Sequence, residues 1–117
     1  MQLEDLAAAV LSGDMLTARQ WVKDAARAKF DWSSAVAPNS ADLTLLSIAA
    51  GLAELLAERA GQPAPSWTQS VAPAPAPRFL LNEAARLPRL RNLCETESPL
   101  PLRRRGLFAP PDFLTFA

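Results

Sequence analysis

Ten of the eleven prolines in this chain fall after Gly61, and that asymmetry limits what each half can become. Proline has no amide hydrogen and its ring fixes φ near about −65°, so proline-dense stretches interrupt helices and stay out of sheet interiors. Long helices therefore belong to residues 1–61. The apolar supply is mainly Ala and Leu with few β-branched residues, which favours helix over strand.

Helical spacing marks the first half. Leu3, Leu6, Ala7, Val10 and Leu11 predict a helix over about 2–11. Gly13 offers a left-handed cap for it, and Asp14 a cap for the next. A second helix is expected over about 15–30, burying Met15, Ala18, Val22, Ala25 and Ala26. Trp21 and Phe30 stand at its edges, and Trp32 lies in the connection that follows. Pro38-Asn39-Ser40 signals a third helix over about 41–60, capped by Asn39 or Ser40. Its only polar stripe is Ser47, Gly51, Glu54 and Glu58, which reads as a narrow solvent-facing edge on a helix central to the core. Residues 62–77 read as a polyproline-like loop pinned by Trp67. A fourth helix is expected over about 78–87 through Leu80, Ala84 and Leu87. Pro88, as a first-turn residue, opens a short fifth through Leu90, Leu93 and Cys94. From Ser98 the chain reads as extended.

Charge is neutral overall but segregated. Residues 1–61 hold eight acids and five bases; residues 62–117 hold four acids and seven bases, all arginine. The basic half can fold back on the acidic half, with Glu54 and Glu58 as internal candidates. The last twenty residues are apolar around the run Arg103-Arg104-Arg105. Free tails are ordinarily polar, so this one has a surface to cover, on its own domain or on a partner.

Little catalytic chemistry is available. The chain has no histidine, so Ser–His and Cys–His pairs cannot form within it. Cys94 is the only cysteine; it reads as an inert packed thiol in a reducing compartment. Glu54 and Glu58 form a four-residue carboxylate pair, more simply a solvated stripe. No Gly-rich phosphate loop or Cys/His metal set is visible. The first two helices have the outline of a helix-turn-helix, in which Arg19, Lys23 and Arg27 would face nucleic acid. The plainer reading is a packed hairpin.

The stretches Gly13–Ala25, Leu52–Arg59 and Pro101–Ala117 resemble small bacterial proteins of unassigned function, some of them antitoxin-like. Such antitoxins neutralise a partner encoded by a neighbouring gene. The resemblance implies a bacterial cytoplasmic protein that binds another protein.

The expectation is thus an all-α fold: a compact bundle of four to five helices around a central helix, with an extended Pro-rich C-terminal arm. Residues 1–97 form the helical domain and 98–117 the arm, docked on that domain or on a partner. The function expected is a non-enzymatic protein–protein interaction module, antitoxin-like, cytoplasmic, without cofactor, metal or membrane span. Its partner-binding residues would be Arg103, Arg104, Arg105, Leu107, Phe108, Phe113, Leu114 and Phe116, engaging a protein partner or a second copy. The second choice is a small DNA-binding regulator using Arg19, Lys23 and Arg27.

Overall fold

In the structure, a computed structural model that describes residues 2–115, the first half follows the helical spacing closely. Helix α1 spans Leu3–Ser12 and α2 spans Met15–Arg27. Gly13 takes φ +82° and its amide bonds back to Ala9 and Val10, while Asp14 accepts from the Thr17 amide. The turn is therefore closed from both sides by local chemistry. α2 ends earlier than expected, at Arg27. Helix α3 spans Leu43–Arg59, and its cap is Asp42, which accepts from the amides of Thr44 and Leu45. Ser40 instead accepts from the Asp42 amide, so it supports the cap from one turn further out.

Helix α3 is enclosed, and three of the four positions of its polar stripe do not face water. Ser47 is buried and donates to the Ala72 carbonyl at 2.7 Å. At Gly51, a Cβ would lie 2.8 Å from Leu102 Cδ2 and 3.4 Å from the Pro101 carbonyl; the missing side chain lets the C-terminal segment approach. Glu54 is only 9% exposed. Among these positions Glu58 alone stays exposed. The expected solvent edge is thus the seat of the proline-rich half.

That half departs from the helical reading in two places. Arg78–Phe79 form a short strand β1, followed by a 3-10 turn at Asn82–Ala85, where a fourth helix was expected. The amides of Arg78 and Leu80 donate to the carbonyls of Gly106 and Phe108, both at 2.9 Å, and alternate residues can reach one neighbouring strand in this way only from extended backbone, not from a helix. The partner strand β2, Leu107–Phe108, runs parallel to β1 with Arg78 opposite Leu107. Between the strands, helix α4 spans Pro88–Glu97 with Pro88 in its first turn, as its sequence implies.

The second departure is the arm, which is folded. Leu100–Arg103 form a short helix α5, with Pro101 in a first-turn position that lacks a helical acceptor anyway. Turns at Pro110–Thr115 follow β2. Leu102, Leu107, Ala109, Phe113 and Leu114 are buried in the same cluster as Leu6, Ile48 and Leu52. The radius of gyration, 13.1 Å, is that of a compact domain of about this length, and among the described residues no segment projects as a tail. Trp67 donates to the Ala35 carbonyl at 2.8 Å and anchors the Pro-rich loop.

Candidate functional site

Two places concentrate chemistry. The first is the arginine run against α3. Arg105, 5% exposed, forks onto both carboxylate oxygens of Glu54 and also donates to the carbonyls of Pro101 and Thr68. Arg104 adds a 2.6 Å bond to the same carboxylate from a half-exposed position. Burial raises the Glu54 pKa, but the hydrogen bonds from Arg105 and Arg104 outweigh it, and the carboxyl sits below its ordinary value. Arg103 is exposed and reaches the Thr96 carbonyl at 3.4 Å. This cluster fastens residues 98–115 to the central helix.

The other tail residues divide similarly. Leu107, Phe113 and Leu114 are buried in the chain's own core. Phe108 is half-buried, its ring centroid 5.8 Å from that of Phe79. Phe116 lies outside the described residues. On α2, Arg19 and Arg27 are exposed and Lys23 is half-buried. Their four-residue spacing puts them on one helix face, and among the described residues no carboxylate pairs with them.

The second place is a groove of about 580 Å³ between the C-terminal ends of α2 and α3 and the final turn. Val22, Ala25, Leu56 and Leu114 supply aliphatic walls, and Phe30 and Trp32 an aromatic one. The two rings pack edge to face at 4.7 Å, with Trp21 at 5.6 and 5.9 Å behind them. Gln62 fixes this wall to the end of α3: its side-chain oxygen accepts from the Trp32 amide at 2.8 Å and its nitrogen donates to the Phe30 carbonyl at 3.1 Å. Arg59 fixes the opposite wall, donating to the carbonyls of Phe113 and Pro111. Burial lowers the Arg59 pKa, with Asp112 and Glu58 opposing it; an arginine stays charged regardless. The groove opens to solvent at Ala26 and Lys29.

Backbone strain converges here. Among the described residues only Lys29, φ +52°, and Leu114, φ +60°, adopt positive φ without being glycine, and both line the groove. Lys29 closes α2, with its own amide on Ala26 and the Phe30 amide on Ala25, a position that glycine ordinarily fills. Leu114 occupies the final turn, inside the bond from the Thr115 amide to Asp112. A side chain in this conformation costs about 1–2 kcal/mol, and such strain collects at ligand clamps and active sites.

The groove volume falls within the range of about 300–1,000 Å³ typical of ligand sites. Sequence spacing marked Trp21, Phe30 and Trp32 only as edge or connecting residues. Nothing local announces Lys29 as a left-handed cap, or Arg59 and Gln62, whose hydrogen-bond partners lie 30 to 54 residues away in the chain. Cys94 is buried; burial and then the Glu95 charge raise its thiol pKa. Among the described residues no cluster of three or more His, Cys, Asp or Glu is placed to hold a metal ion, and no helix is long and apolar enough to cross a membrane.

Compared with known family models, curated proteins and solved structures, the chain matches none.

Proposed function

We propose that the protein is a non-enzymatic interaction module that receives an apolar side chain of a partner protein in the groove between α2, α3 and the final turn. The supporting observation is the convergence of the two bulky left-handed residues on one apolar concavity. Backbone conformation alone favours glycine at both positions; lysine and leucine there build a groove wall. In this reading the tail contributes indirectly, because Leu114 and the turn held by Arg59 form one side of the groove. An antitoxin-like role, with a partner encoded by a neighbouring gene, is one form of it.

The test places a photoreactive amino acid at Ala26, which is exposed at the groove mouth, and another at exposed Arg86 as a control. A partner that cross-links from position 26 and not from 86, and then binds the purified chain with defined stoichiometry, is the expected result. Equal cross-linking from both positions would remove the groove from consideration. The second reading, a DNA-binding regulator, draws on the shared face of Arg19, Lys23 and Arg27. Duplex-DNA binding that falls steeply with salt, and is lost when all three become alanine, would establish it instead.

A further inference from the structure

Resting on the groove as a docking site, we infer that its occupant is an acidic partner segment: one apolar anchor side chain flanked by a carboxylate that pairs with Lys29. The polar groups lining the groove are nearly all committed. Arg59 is spent on two carbonyls of the final turn. Gln62 is spent, through both side-chain polar atoms, on the Phe30–Trp32 segment. The Thr115 hydroxyl donates to the Asp112 carbonyl at 2.6 Å. Of the charged groups described in the groove lining, only the Lys29 ammonium is without a hydrogen bond or ion pair, and it stands exposed at the mouth; the Trp32 indole N–H is the other uncommitted donor of the lining. An apolar groove with one uncommitted cation at its edge matches an apolar group beside one anion.

The surroundings carry the same sign. Arg19, Lys23 and Arg27 occupy the α2 face adjacent to the one bearing Val22, Ala26 and Lys29, so a segment entering over α2 meets positive charge first. Complementary charge of this kind directs encounter and rejects like-charged partners. At the far end Asp112 and Glu58 act on Arg59, which disfavours a polyanion laid along the whole groove. A segment with its acids on the α2 side of the anchor satisfies both ends; a nucleic-acid backbone does not.

The experiment uses the full chain and fluorescein-labelled short peptides, each with a single Phe in a Gly/Ser background flanked by two Glu, two Gln or two Lys. Fluorescence polarisation should rank them Glu, Gln, Lys, with roughly ten-fold between the first and last. Changing the peptide Phe to Ser should abolish binding. Lys29→Gln should remove the preference for Glu over Gln. Lys29→Gly should do the same while raising the melting temperature, which separates lost charge from lost folding. Binding that ignores peptide charge overturns the acidic assignment and leaves the docking groove standing. No binding by any Phe peptide overturns both. Phenylpropionate binding as tightly as the Glu peptide would make the groove a small-carboxylate pocket and end the peptide proposal. If ending the chain at Thr115 makes every peptide bind more than ten-fold tighter, the occupant is the chain's own Phe116, and the proposal also falls.

Discussion

Replacing Glu54 with glutamine keeps the side-chain shape and removes one charge, at the point where the C-terminal segment meets α3. Arg105 would then sit 95% buried, from its 5% exposure, with only the carbonyls of Pro101 and Thr68 as undisturbed acceptors. Its Nε already has no partner. Removing one member of a buried pair costs about 3–5 kcal/mol; half-exposed Arg104 can turn to water and adds about 1 kcal/mol at most. With an unfolding entropy of about 2.1 cal/mol/K per residue, the 117 residues give about 0.25 kcal/mol/K. The melting temperature should therefore fall by about 12–24 °C at pH 7. Circular dichroism melts, with urea titrations for the free energy, measure it. Acid supplies a second arm. The Glu54 pKa is depressed in the fold, so its stabilisation is complete above the unfolded value of about 4.3 and is lost as pH falls through the folded value. The gap between wild type and Glu54→Gln should close over that range. A shift under about 3 °C at pH 7, or a gap that persists into acid, would refute the placement of this pair at the centre of the fold.

Two further outcomes test the same architecture. Gly51→Val should destabilise by about 1–3 kcal/mol, because its Cβ alone meets Leu102 at 2.8 Å; an unchanged denaturation midpoint would mean that α5 does not approach α3 so closely. Deleting Gly106–Ala117 removes Leu107, Phe113 and Leu114, each worth about 1.5–3 kcal/mol of burial. The truncated chain should lose its cooperative melt and bind a hydrophobic dye, and a sharp melt near the wild-type temperature would contradict internal docking of the tail.

What could be read from the sequence was whatever local chemistry decides. Gly13 and Asp14 close the first hairpin, Pro88 opens α4, and the apolar run of α3 places that helix at the centre. The misreadings share one cause. Leu80, Ala84 and Leu87 have helical spacing, but residues 78–80 are held extended by pairing with a strand nearly thirty residues later. Ser47, Gly51 and Glu54 look like a wet stripe until Ala72, Leu102 and Arg105 arrive to cover them. The groove was less visible still, because a left-handed lysine and a left-handed leucine carry no glycine to announce them.

The pairing of Glu54 with Arg105 also sets an order of events during synthesis. The two residues are 51 positions apart, so at about 5–20 residues per second the carboxylate leaves the ribosome seconds before its arginine. Through that interval α3 presents an apolar surface with an unanswered charge in its midst, a form suited to chaperone capture. A chain that stalls or is cut before Arg105 never acquires the segment that covers it. A chain that carries α3 without the Arg105 segment thus keeps that surface open to proteolysis.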